Sequence, residues 1–248
     1  MEKTIDVSKV NRIEVIDQKG RSYVNFKENN EVELQVQDDG FTLKVFIKNA
    51  EGIKSNGASL FDMYNKMPIK SDKGTLHNYM QWYSDEFTPR RLDKLNFLEI
   101  GISRGLSLKL FGEWFVNSKV IGIDTQYYDE AKAIVSNLLN VEAVIADAYK
   151  TETLDMYPDE HFDYIIEDGL HDVEYQLNSV EMWWPKLKKG GTLIVEDVQD
   201  LDLDKDKFDN LARYLKVKCD VVDLRQELNH WRETKYDNVL LIFKKEAV

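Results

Sequence analysis

Two short acidic runs stand out as places where chemistry could occur. The first is Ile165-Ile166-Glu167-Asp168-Gly169-Leu170-His171, and the second is Ile194-Val195-Glu196-Asp197. Each begins as an apolar, β-branched stretch and ends in carboxylates, the pattern of a buried strand that delivers acidic side chains at its carboxyl end. If the two strands are neighbours, Asp168, Glu196 and Asp197 converge in one cleft. Unpaired carboxylates at close range repel one another. No Lys or Arg lies within a few residues of either run. A hard divalent cation with oxygen ligands resolves the repulsion, and Mg²⁺ is the natural candidate. Such a cation would bind substrate oxygens and lower a hydroxyl pKa. His171, with an ordinary pKa near neutrality, is placed to take the proton as general base. Against this stands the plainer reading that acidic residues after strands cap the next helix, as Asp172 does for a helix starting near Val173.

A second set of residues suggests a bound cofactor. An earlier strand ends in Glu99-Ile100-Gly101-Ile102-Ser103-Arg104-Gly105 and runs into a helix. A dinucleotide loop needs G-x-G-x-x-G, but the second and third glycine positions hold Ser103 and Leu106. S-adenosylmethionine needs no phosphate cradle. It asks for an acidic residue just before the glycines to hold its ammonium, directly or through water, and Glu99 answers that need. The next strand ends in Asp124, where a carboxylate can accept both ribose hydroxyls. After the third strand, Asp147 can accept from an adenine amino group while the backbone at Ala148 faces the ring. The ordered set Glu99, Gly101, Gly105, Asp124, Asp147 favours the methyl donor over the dinucleotide.

The elements that must position these groups follow from periodicity. From residue 95 onward strand and helix patterns alternate: strands over 95–100, 120–123, 143–145, 162–166 and 192–195, with helices over 106–115, 129–139, 173–187 and 207–215. Two final strands, 218–224 and 238–243, have no helix between them and form a hairpin, so the last strand is antiparallel. The expected fold is α/β: a Rossmann-like, seven-stranded, mainly parallel sheet with helices on both faces. Ahead of it, two amphipathic helices are expected from Ser59 and over 75–87, the second with Leu76, Tyr79, Met80 and Tyr83 on one face. Residues 1–55 alternate apolar and polar, with strands expected over 12–16, 23–26, 32–36 and 41–47, a small β unit beside a main domain of residues 56–248.

The net charge of -12 disfavours nucleic acid and anionic membrane surfaces as partners. No apolar run approaches the ~20 residues of a membrane span. The single cysteine, Cys219, reads as a small buried apolar residue. With no signal-peptide core at residues 1–10, a cytoplasmic setting is the expectation. His161, and His230 beside Trp231, read as structural or exposed; Trp183 and Trp184 read as core.

Ser71-Asp72-Lys73-Gly74, then His77, Tyr79 and Tyr83, then Leu98-Glu99-Ile100-Gly101, and later both acidic runs, resemble the macrocin and mycinamicin sugar O-methyltransferases over roughly residues 58 to 245. The resemblance implies a class I, Mg²⁺-dependent O-methyltransferase acting on a hydroxyl of a sugar or related small molecule. By the same resemblance Asp168, Glu196 and Asp197 hold the metal, His171 is the base, and the segment carrying Lys73 and Tyr79 folds over the cofactor. Residues 1 to 50 do not look like the larger auxiliary domain of the mycinamicin branch, so substrate contacts and assembly are left open, a homo-oligomer among them. The family also includes members described as cephalosporin hydroxylases. A hydroxylase-like metal enzyme and a non-catalytic, cofactor-binding assembly subunit are therefore the rival readings.

Overall fold

The computed structural model describes residues 59–126, 128–225 and 237–247, together with strand residues 25–26, 31–35 and 42–46. The chain divides into two units, Met1–Ala58 and Ser59–Val248. In the first, β1 (Asn25–Phe26), β2 (Glu31–Gln35) and β3 (Thr42–Phe46) form an antiparallel sheet in that order. Val32 pairs with Val45 and Leu34 with Leu43. The strand expected over 12–16 and the pair His230–Trp231 lie outside the described residues.

The second unit is built on seven strands: β4 (Asn96–Ile100), β5 (Lys119–Asp124), β6 (Val141–Ile145), β7 (Phe162–Glu167), β8 (Leu187–Val195), β9 (Cys219–Asp223) and β10 (Val239–Lys244). Their order is β6-β5-β4-β7-β8-β10-β9. Pairings are parallel from β6 through β8, and β10 runs antiparallel to both neighbours. This is the expected sheet. The chain first winds outward from β4 to β6, then returns to place β7 on the other side of β4. The crevice at the carboxyl ends of β4 and β7 is therefore the topological switch point, where open α/β sheets bind ligands.

Successive residues of β4 serve opposite faces, as the period of two requires. Phe97 packs with Phe87, Phe111, Phe115 and Tyr164, while Leu98 joins Ile165, Trp183 and Phe208. The first face is covered by α1 (Leu60–Lys66), α2 (Tyr79–Phe87) and α3 (Leu106–Trp114). The second is covered by α6 (Val173–Trp183) and α7 (Leu201–Leu215); α4 (Asp129–Val135) and the single-turn α5 (Thr151–Leu154) complete the crossovers. Phe87 is fully buried, with ring centroids of Tyr83, Phe97, Phe111, Phe115 and Tyr164 within 5.7 Å. Phe87→Ala is expected to cost about 3–5 kcal/mol in urea unfolding, because the helices around it leave most of the void unfilled.

The helix expected over 75–87 is shorter than its apolar pattern. Thr75, Leu76 and His77 all donate their amides to the Asp72 carbonyl, closing a 3-10 turn over Asp72–Gly74. The regular helix begins only at Tyr79. The helix expected from 207 instead starts at Leu201, where the Asp200 side chain accepts from the Leu203 amide. No helix among the described residues is long and apolar enough to cross a membrane. Cys219 is half-buried in β9, and burial, aided by the charge of Asp209, pushes its thiol up to about 12. At pH 8 the thiolate is scarce. Native protein should react with Ellman's reagent more than tenfold more slowly than protein in urea.

Candidate active site

The strand-end loops continue the sheet's hydrogen bonding sideways. The amide of Ala146 donates to Asp124, that of Gly101 to Ile123, that of Asp168 to Ile100 and that of Glu196 to Glu167, at 2.9–3.0 Å. These four bonds tie the carboxyl ends of β4, β5, β6, β7 and β8 to one another. Gly101 has φ +83°, and a Cβ there would lie 2.0 Å from the Asp168 carbonyl oxygen. Only glycine lets the cofactor loop and the first acidic loop approach so closely. Gly105, at φ +76°, caps α3 against Ala131. Asp124 stitches the loop from below: its Oδ2 accepts from the amides of Ile102 and Ser103 at 3.0 Å each.

Above these loops opens a cavity of about 650 Å³. Gly101, Asp124, Asp147, Ala148, Asp168 and His171 line it, six of the residues expected from sequence. Lys70, Ser71, Asp72 and Thr75 close one side, so the segment before α2 does border the cavity. Glu99, Gly105, Lys73, Tyr79, Glu196 and Asp197 are not among the lining residues. Glu99 is fully buried, and burial pushes its carboxyl up to about 7, opposed by Lys73 and reinforced by the charge of Asp168.

Asp168, Glu196 and Asp197 converge as expected, and Glu99 makes a fourth carboxylate. A cation is among them. Lys73 Nζ, carried on the turn before α2, lies 2.6 Å from Asp168 Oδ2, 2.7 Å from Glu196 Oε1 and 3.3 Å from Glu99 Oε1. Lys73 is 1% exposed. Burial works against its charge, but the carboxylates of Asp168, Glu196 and Glu99 more than offset this and hold the ammonium well above the usual lysine range. The same burial raises Asp168 and Glu196, and with the charge of Asp168 it pushes Asp197 up to about 8.

Helix α2 supplies two phenols to the cluster. The Tyr83 hydroxyl donates to Glu196 Oε1 at 2.5 Å, and that of Tyr79 to Asp197 Oδ1 at 2.7 Å. His77 stacks on Tyr79, with its Nδ1 3.4 Å from Asp197. Nearer the cavity, His171 Nε2 is 3.9 Å from Asp197 Oδ2. Asp168, His171 and Asp197 each present one donor atom, all within 4.8 Å of one another. Two carboxylates and an imidazole at that spacing fit a divalent cation. Glu196 is turned away from this trio, onto Lys73 and Tyr83.

Residues 171 and 197 have φ of +44° and +54°, a left-handed conformation uncommon outside glycine. Such strain gathers where surrounding structure holds functional groups in place. Part of that structure is Glu167, fully buried below the loop. It accepts from the hydroxyls of Ser179 and Tyr149 and from the Gly169 amide, and Leu170 in turn donates to Tyr149. Burial pushes Glu167 up to about 7. Sequence reasoning assigned no role to Glu167, Tyr149 or Tyr83. A carboxylate immediately before Asp168 on a buried strand was the available signal, because its side chain must face inward.

Residues 98–198 match the family model described as a methyltransferase domain. The chain is 28% identical over 138 residues to the 8-demethyl-8-alpha-L-rhamnosyl tetracenomycin-C 2'-O-methyltransferase of Streptomyces olivaceus, covering 52% of this chain and 35% of the relative. It is 30% identical over 138 residues to the L-olivosyl-oleandolide 3-O-methyltransferase of Streptomyces antibioticus, covering 52% and 34%. The chain thus spans about a third of the length of the curated relatives it matches. Among solved structures, the mycinamycin-pathway methyltransferase MycE in complex with Mg and SAH superposes with a TM-score of 0.54 at 19% identity, covering 75% of this chain and 53% of that one. That likeness establishes a shared fold. The resemblance to the macrocin and mycinamicin sugar O-methyltransferases, first read from the motifs, is borne out by these matches, which include demethylmacrocin and mycinamicin VI enzymes.

Proposed function

We propose that the protein transfers the methyl group of S-adenosylmethionine to a hydroxyl of a sugar or related small molecule, assisted by a divalent cation, Mg²⁺ first among candidates. The observation that carries this reading is the placement of Asp168 and His171 in the wall of the cavity that also exposes Gly101, Asp124 and Asp147. A candidate base and one candidate cation ligand, Asp168, therefore adjoin the candidate donor site, and a second candidate ligand, Asp197, lies 3.9 Å from the base. The relatives' names support a sugar hydroxyl as acceptor.

In this reading Asp124 accepts from the ribose hydroxyls and Asp147 from the adenine amino group, beside the backbone of Ala148. Gly101 admits the methionine end. Glu99, buried behind it, adds negative potential toward the ammonium. Asp168 and Asp197 hold the cation, with Glu196 the third carboxylate of the expected set. When bound, that cation orients the acceptor oxygen and lowers its pKa. His171 takes the hydroxyl proton. The oxygen forms its bond to the methyl carbon as the carbon–sulfur bond breaks, leaving S-adenosylhomocysteine.

The test is methyl transfer from labelled S-adenosylmethionine to a panel of hydroxylated sugars and glycosides. Label should reach an acceptor in Mg²⁺ and be lost in EDTA. His171→Ala should lower the rate about 10²–10⁴-fold, the usual contribution of a positioned base. A rate unchanged in His171→Ala, or transfer indifferent to EDTA, would remove the base or the cation from the scheme.

A further inference from the structure

We propose that Lys73 is the resident cation of the strand-end acidic cluster, and that it sets the cluster's affinity for a divalent metal by competing for Glu196 and Asp168. The inference rests on the reading of the cluster as a cation site. An ammonium has three N–H donors. Here three carboxylates, those of Asp168, Glu196 and Glu99, stand 2.6 to 3.3 Å from Lys73 Nζ. The lysine's donors are thus matched by oxygens inside the protein, with 1% of the residue exposed.

Glu196 is held twice, because its Oε1 accepts from both Lys73 and Tyr83. A metal reaching for that oxygen meets two donors already in place and a like charge within bonding range of the same atom. The turn bearing Lys73 is also tightly seated. A Cβ on the adjacent Gly74 would lie 2.6 Å from Met80 and 2.7 Å from the Tyr64 ring, so the backbone has little room to carry the lysine away. What remains accessible to a metal is the pair Asp168 and Asp197, with His171 beside them. Two consequences follow. With Lys73 in place a metal engages Asp168 and Asp197 against the repulsion of the ammonium. With the charge of Lys73 removed, Glu196 is released as a further ligand.

The experiment is titration of EDTA-treated full-length protein with Mn²⁺, followed by the loss of the free-ion signal in electron paramagnetic resonance. Lys73→Met should bind Mn²⁺ at least tenfold more tightly than the unmodified protein, and its melting temperature should rise more on adding Mn²⁺. Removing a buried cation from a carboxylate cluster can prevent folding, so Glu196→Gln is titrated in parallel. Because Lys73 already holds Glu196, that variant should keep Mn²⁺ affinity within about threefold. Equal or weaker binding by a folded Lys73→Met, or a loss above tenfold in Glu196→Gln, overturns the proposal while leaving the cation site intact. Absence of Mn²⁺ binding in every variant would overturn the cation-site reading itself, and this inference with it.

Discussion

Gly101→Ala is expected to lower the stability of the protein by about 2–5 kcal/mol and to abolish measurable binding of S-adenosylhomocysteine. Two costs add. A side chain at φ +83° pays roughly 1–2 kcal/mol for the left-handed conformation. The new Cβ then meets the Asp168 carbonyl oxygen at 2.0 Å and its carbon at 2.7 Å. Those atoms are backbone, so relief requires moving a whole loop, at about 1–3 kcal/mol. The loop that must move carries Asp168 and is tied through Glu167 to Glu196. In a domain of this size each kcal/mol shifts the melting temperature by about 2–4 °C, so a fall of roughly 4–20 °C is expected in thermal unfolding. Gly105→Ala is the comparison. Its φ is +76°, but its nearest contacts, to Ala131, are at 3.1 Å. It should cost about half as much and leave the acidic loop in place.

Asp124→Ala should bind S-adenosylhomocysteine about a hundredfold or more weakly while remaining folded. The ribose hydroxyls would donate to a charged acceptor, and hydrogen bonds to charged groups are worth about 1.5–3 kcal/mol each. Asp124 also accepts from the amides of Ile102 and Ser103, so its loss loosens the loop that shapes the cavity. Asp147→Ala should weaken binding only about tenfold, because it loses one contact to the adenine amino group. Calorimetric titration of both variants reads the ratio directly. Equal losses would place the ribose away from Asp124.

The contrast between these residues and Lys73 shows what one sequence makes legible. Glu99, Asp124, Asp147 and Asp168 each stand at or just past the carboxyl end of a strand in one parallel run of the sheet, so alternation of strand and helix already assembles them. The antiparallel last strand was equally readable, because the sequence between the two final strand patterns carries no helical pattern. Lys73 is different. It reaches Asp168 across 95 positions of chain, and no local pattern marks a buried lysine. Its turn also broke the helix reading. Spacing places Leu76 on an apolar helical face, yet it is 38% exposed because the chain turns at Asp72 to bury the lysine instead. Periodicity reports the burial of apolar side chains and says nothing of a polar one whose partners lie elsewhere in the fold. The left-handed backbone at His171 and Asp197 was hidden for a related reason: Asp and His are enriched at positive φ, but most of them lie elsewhere, so residue type alone does not mark it.

The most direct test of the central claim is calorimetric titration of the purified protein with S-adenosylhomocysteine, with and without Mg²⁺. Binding in the micromolar range, lost in Asp124→Ala, is the predicted result. Absence of binding by folded protein under both conditions would contradict it, and would favour a role in assembly over catalysis.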